Sequence, residues 1–145
     1  MLADTPIAFS ETMEQAKQVT EAEWRDRAKR GTAHNGTALV AIASTGQWLG
    51  TMGAYIPKEG DDPRLVGVYV TPEYRGEKSG ITERLLEEII QWASNYSQKL
   101  LLNVHERNAR ARRFYRKQGF VETGKIIPFN LDPQANEIEM IYIID

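Results

Sequence analysis

Val68-Tyr69-Val70-Thr71-Pro72-Glu73-Tyr74-Arg75-Gly76-Glu77-Lys78-Ser79-Gly80 is the stretch on which the fold turns. A short apolar strand runs into a proline turn, an Arg-Gly loop follows, and an amphipathic helix then begins. That order aims several backbone N–H groups and the positive end of a helix dipole at one spot, and such a spot binds phosphate. The loop is not a nucleotide P-loop. Lys78-Ser79 follows Glu77 where that motif needs Gly, so the phosphate belongs to something other than a hydrolysed nucleotide.

Downstream, apolar residues recur at Ile81, Leu85, Leu86, Ile89, Ile90 and Ala93 with helical spacing. Lys99 to Val104 reads as an apolar strand, and Ala109 to Lys117 as a short helix ended by Gly119. Phe120-Val121 starts a further strand, and Glu137 to Ile144 forms the last one. Upstream, Arg64 to Val70 is a strand, and Thr37–Ala43 with Trp48–Ile56 forms a hairpin across Thr45-Gly46-Gln47. Thr20-Glu21-Ala22-Glu23 is a capping box opening a helix to about Arg30, with Trp24 and Ala28 on its buried face. Strand–helix–strand–helix–strand in the middle predicts a mixed sheet with helices packed on it, of α/β or α+β class.

Composition narrows the choice. The 145 residues suit one domain spanning 1–145. A net charge of −2 argues against bulk binding of nucleic acid. The absence of cysteine excludes disulfides, thiolate nucleophiles and Cys-based zinc sites, and only two histidines, His34 and His105, are present. No apolar run approaches the roughly 18–20 residues that span a bilayer, and the first residues lack a signal-peptide pattern. The expectation is a cytoplasmic protein without membrane contact.

Two segments resemble the GNAT N-acetyltransferases. Val68 to Ile81 is similar to that family's acetyl-CoA loop, commonly Arg-x-x-Gly-x-Gly/Ala after a V-x-P-x-x-R-G lead-in. Leu102-x-Val104-x-x-x-Asn108-x-x-Ala111-x-x-Phe114-Tyr115-x-x-x-Gly119-Phe120 resembles its second signature over the whole length. With the helix between them they cover about a third of the chain. The resemblance implies an acetyl-CoA-dependent N-acetyltransferase acting by direct attack of a primary amine. The amine is a small molecule, a peptide or a protein N-terminus. The pantetheine would lie along Val68, Tyr69 and Val70, bonded to the backbone of Val68 and Val70, with the Val70 N–H aimed at the thioester carbonyl. The pyrophosphate would rest on the amides of Arg75, Gly76, Glu77, Lys78, Ser79 and Gly80, next to Ile81. Asn108 and Ala111 would flank the cofactor. Tyr115 matches the family's tyrosine acid, and a phenol pKa of about 10 lies close enough to an alkyl thiol to serve without a large shift.

The chain departs from the family pattern in several places. Lys78 stands where the first loop glycine is usual, and a Cβ at positive φ would cost about 1–2 kcal/mol there. No general base stands out: His105, Glu106, Glu59, Asp61, Asp62 and a water chain all remain open. Most of the family's first strand and helix is expected to be missing, which would leave a sheet edge to be covered by a homodimer or tolerated at lower stability. Trp24, Trp48 and Trp92 read as core or rim packing. The basic run from Arg107 to Lys117 reads as a solvated face, as a seat for the 3′-phosphate of CoA, or, least favoured, as a nucleic-acid patch dependent on Arg110 and Arg113. The alternative to an enzyme is a catalytically weak module that binds CoA or a protein partner. Acceptor choice is assigned to loops such as Ala33–Thr37, Lys58–Pro63 and Ile126–Asn136.

Overall fold

Alternating apolar strands and two apolar-faced helices build one mixed sheet with a helical layer against it. The computed structural model describes residues 1–76 and 78–145. After a 3-10 turn at Pro6–Ala8 come α1 (Met13–Gln18), α2 (Glu21–Arg30), β1 (Gly36–Ile42), β2 (Trp48–Tyr55) and β3 (Arg64–Val70). Then follow α3 (Ile81–Ala93), β4 (Lys99–His105), α4 (Ala109–Lys117), β5 (Val121–Phe129) and β6 (Asp132–Ile143). The sheet order is β1-β2-β3-β4-β6-β5. β3 and β4 are parallel, and the other neighbours are antiparallel.

Strand alternation divides the sheet into two faces. One carries Met52, Leu100, Leu102, Val104 and Met140, and packs against Leu85, Leu86, Ile89 and Ala93 of α3. Tyr115 of α4 and the fully buried Phe120 complete that core. The other face carries Asn103 and His105 of β4 opposite Glu139 and Glu137 of β6.

A polar clamp crosses this second face. The Arg64 guanidinium donates to the Glu139 carboxylate at 3.0 Å, the Thr123 hydroxyl donates to its other oxygen at 3.1 Å, and the Lys125 ammonium stands 3.5 Å away. Burial works against the Glu139 charge, but Arg64, Thr123 and Lys125 outweigh it and hold the carboxyl below its ordinary range.

Three expectations are corrected. Trp24 and Ala28 do not form a buried face: α2 buries nothing, and Trp24 is 44% exposed with the Arg27 guanidinium 4.8 Å over its ring. A helix polar on almost every side has nothing to bury, and it is fastened through Arg27–Glu11 at 2.9 Å instead. Trp48 is likewise exposed, at 66%, while Trp92 packs on the core as expected. Ile126–Asn136 is mostly not a loop, because β5 runs to Phe129 and β6 starts at Asp132. β5 is an edge strand, where Pro128 can lack an N–H without costing a ladder bond. Among the described residues no strand precedes the helices, yet two helices do precede β1. No described helix is long and apolar enough to cross a membrane.

Glu139→Gln should destabilise the protein by about 1–3 kcal/mol at pH 7, since it removes a charged hydrogen-bond acceptor from a buried cluster. A carboxyl held low in the folded state stabilises fully above the unfolded value of about 4.3 and loses that contribution as pH falls through its folded value. Urea titrations should therefore show the gap between wild type and variant narrowing below about pH 4.3.

Candidate active site

Two neighbouring strands that stop pairing create the site. β3 and β4 share a single register pair, Arg64 with Leu101, next to the Leu101 N–H bond to the Pro63 carbonyl at 2.9 Å. Just beyond, β3 shifts register against β2 between Thr51 and Gly53, and Gly67 adopts φ 62°. Such a bulge bends and twists its strand. The strands diverge and leave a gap of about 360 Å³. Leu65 to Val70 line one wall and Leu102 to His105 the other. Both faces of β4 contribute to that wall, so the gap opens through the sheet.

Backbone geometry gives the first wall its chemistry. The Thr71 N–H donates to the Leu49 carbonyl at 2.8 Å, so antiparallel alternation turns the Val70 N–H away from β2 and toward the gap. The Val70 carbonyl accepts from Arg75 Nε at 2.6 Å. The Arg75 guanidinium also pairs with Asp4 and lies 5.3 Å over the Tyr69 ring. Arg75 thus ties its loop to β3 and to the first residues of the chain, of which Thr5, Ile7 and Ala8 help to line the gap.

Among the described residues of the loop ahead of α3, left-handed backbone falls on glycine alone. Gly76 has φ 98° and Gly80 φ 62°, while Lys78 and every other described non-glycine residue keeps negative φ. The strain expected at Lys78 is therefore absent: two glycines flanking it absorb the turn. The Ser79 hydroxyl donates to the carbonyls of Tyr74 and, at 3.1 Å, Gly76. Gly80 is the N-cap of α3 and offers no side chain, whereas Thr12, Thr20 and Asn108 cap α1, α2 and α4 with theirs. The first turn of α3 thus has no N-cap side chain, and its Ile81 N–H reaches the Ser79 hydroxyl only at 3.5 Å.

The α4 side supplies the titratable group. Asn108 Oδ1 accepts from the Ala111 N–H at 3.2 Å, which starts the helix, and Tyr115 follows one turn beyond Ala111. Tyr115 is 6% exposed and packs edge-on to Phe114 and Phe120 at 5.4 and 5.5 Å. Burial pushes its phenol well above the ordinary value of 10.0. The group is held neutral, and it is a weaker acid than the unshifted phenol expected from sequence. The basic run splits by position. Arg112 and Arg116 both reach Glu122, at 2.9 and 2.5 Å, and pin α4 to β5. Arg110, Arg113 and Lys117 line the gap.

Of the residues singled out by sequence, Val68, Tyr69, Val70, Arg75, Gly76, Asn108, Ala111 and Tyr115 meet in this gap. Lys78, Ser79, Gly80 and Ile81 form the adjoining loop and helix start, and Glu77 lies outside the described residues. Among the candidate bases only His105 lines the gap. Glu59, Asp61 and Asp62 do not, and Asp62 accepts the Ser97 hydroxyl at 2.6 Å. Glu106 is engaged by the backbone and side-chain N–H groups of Asn136 at 3.1 and 3.2 Å. Sequence reasoning missed Asn103, Glu83 and Glu137, all of which line the gap. The alternation Asn103-x-His105 and Glu137-x-Glu139 was visible, but not the register that places the two pairs opposite one another.

Comparison with known proteins agrees with this architecture. The family model described as "Acetyltransferase (GNAT) family" matches residues 4–120, so the chain belongs to that family. No curated protein matches the sequence. Among solved structures, a ribosomal-protein-alanine N-acetyltransferase from Brucella melitensis is 25% identical and superposes with a TM-score of 0.74 over 99% of this chain and 96% of its own. A phosphinothricin acetyltransferase from Sinorhizobium meliloti in complex with AcCoA is 19% identical, with a TM-score of 0.74 over 95% and 75%. A spermidine N-acetyltransferase from Vibrio cholerae in complex with CoA and spermine is 17% identical, with a TM-score of 0.68 over 86% and 76%. The last two likenesses are those of fold.

The two loop positions should respond oppositely to what the family pattern suggests. Gly80→Ala should cost about 1–2 kcal/mol, because its Cβ would meet no atom within 4 Å and the whole penalty is the left-handed backbone. Lys78→Gly should give no gain and lose up to about 1 kcal/mol through greater freedom of the unfolded chain. Urea denaturation of both variants checks this, and a stabilised Lys78→Gly would contradict the loop geometry.

Proposed function

We propose that this chain transfers an acetyl group from acetyl-CoA to a primary amine in the gap between β3 and β4. The observation that carries the reading is the gap itself: a strand whose backbone is unpaired on one side, facing a buried tyrosine, inside a family of acetyltransferases. The residues present fit an acyl-pantetheine chain bearing phosphates. An extended pantetheine can bond to a strand that has lost its neighbour, as a peptide does when it adds to a sheet edge. The uncapped start of α3 suits the pyrophosphate, and Arg113 with Arg110 suits a further phosphate. Acetyl-CoA supplies an acyl group activated as a thioester.

Each remaining task falls to a residue of the chain. The Val70 N–H donates to the carbonyl oxygen as negative charge grows there. Tyr115, held neutral by burial, donates its phenolic proton toward the departing sulfur. Asn108 starts α4 and thereby sets the direction of Tyr115. The solved structures similar to this chain include enzymes named for a protein N-terminal residue and for a polyamine, so the acceptor is either a protein amine or a small one.

Calorimetric titration with acetyl-CoA should give one site per chain with micromolar affinity, and ATP should give none. Tyr115→Phe should keep that affinity within twofold and lower kcat by about 100- to 10,000-fold. Since the chain has no cysteine, released CoA is the only thiol in the assay. No binding of acetyl-CoA would defeat the reading. Binding with an unchanged rate in Tyr115→Phe would remove the tyrosine from the chemistry.

A further inference from the structure

The reaction needs a proton acceptor that neither Val70 nor Tyr115 supplies. An aliphatic amine is an ammonium ion at neutral pH, and its nitrogen has no electron pair to use until a proton has left. The acceptor must therefore meet a proton acceptor inside the gap.

Most nearby carboxylates are already committed. Glu139 is held by Arg64, Thr123 and Lys125, Glu106 by Asn136, and Glu122 by Arg112 and Arg116. Among the described residues, the carboxylates lining the gap are Glu83 and Glu137. Glu83 stands on the first turn of α3, on the same side of the sheet as Tyr115. Glu137 stands on β6 directly across from His105, on the opposite side. Asn103 lines the gap on the same face of the sheet. His105 lies beside Glu137 with a fixed ring: Nδ1 accepts from the Arg107 N–H at 3.1 Å, and Phe129 packs edge-on at 4.8 Å.

We propose that Glu137 receives the acceptor. Its carboxylate draws an aliphatic primary ammonium into the gap from the face opposite Tyr115 and accepts the proton that must leave before the nitrogen attacks. This rests on the acetyl-transfer reading above. Two substrates then enter one gap from its two faces, which lets both be bound together. Burial supports the role: it raises the proton affinity of Glu137, with His105 and Asn103 opposing. The protons balance. R–NH3+ yields one to Glu137. The freed pair forms the C–N bond as the C–S bond breaks, and the sulfur leaves with its bonding pair and takes the Tyr115 proton. The surplus proton on nitrogen returns through water to the Tyr115 oxygen. Glu137 passes its proton to solvent, so the products are an acetamide, a thiol and one H+.

The test uses the full chain in three arms. Acetyl-CoA calorimetry on wild type, Glu137→Gln and Glu137→Asp examines the underlying reading, and affinities within twofold of one another are expected. Titration with butylamine, followed by NMR of 13C-labelled glutamate carboxyls, examines the site without turnover. A saturable shift assigned to Glu137 and lost in Glu137→Gln is expected, with Glu83→Gln as the control that keeps it. Rates are then measured on spermidine and on an alanine-terminated peptide. On whichever is acetylated, Glu137→Gln should lose at least 100-fold in kcat/KM and Glu137→Asp should recover most of it. A Glu137→Gln rate within twofold of wild type overturns the proposal. So does a butylamine shift that is absent, or that appears at Glu83 instead, even if acetyl-CoA binds. Loss of acetyl-CoA binding in wild type defeats the underlying reading and leaves the butylamine arm to judge Glu137.

Discussion

The rest of the molecule depends on β3 and β4 touching at one residue pair and then parting. Backbone N–H and C=O groups left without partners are costly when dry, so a sheet does not open without compensation. Here the opening is held from both ends. The Arg64 clamp on Glu139 ties β3 across β4 to β6 at the closed end. The bulge at Gly67 turns β3 away while keeping it paired to β2. What results is a row of backbone donors and acceptors kept in place by the fold and available to a ligand. Rigid placement of this kind lowers the cost of ordering at the moment of binding.

The helices serve that opening in different ways. α3 buries Leu85, Leu86, Ile89 and Ala93 against the sheet and so fixes where its own uncapped start points. α4 is short and strongly basic, and could not hold its place by burial alone. Asn108 caps it, Tyr115 plugs its inner face into the core, and Arg112 and Arg116 grip Glu122 on β5. The same burial that anchors Tyr115 keeps its phenol protonated. On the far face of the sheet, half-burial raises the proton affinity of Glu137. Packing thus governs the protonation of both groups, and their positions on opposite faces follow from strand alternation.

Much of this was readable from the chain. A capping box, periodicities and turn glycines located most of the elements, though not α1, and the Asn108-to-Phe120 pattern pointed to the tyrosine that reaches the gap. Readings failed where a local pattern was asked to report on burial or pairing. Trp24 and Ala28 share a helix face, but no apolar surface lies opposite them. Lys78 looked strained in a loop pattern, yet Gly76 and Gly80 carry the positive φ angles. Ile126–Asn136 holds Pro128, Pro133 and polar residues and reads as a loop, while the end of edge strand β5 and the first residues of β6 accommodate them.

The sequence by itself determined most of the elements, their order, the family and the residues along one wall of the gap, because these depend on neighbours a few positions apart. Only the tertiary structure decided that β3 and β4 separate, that Arg112 and Arg116 are spent on Glu122, and that Glu137 faces the gap beside Asn103 and His105. Those facts depend on register between strands distant in the chain. A shift of one residue would have sent Glu137 to the other face.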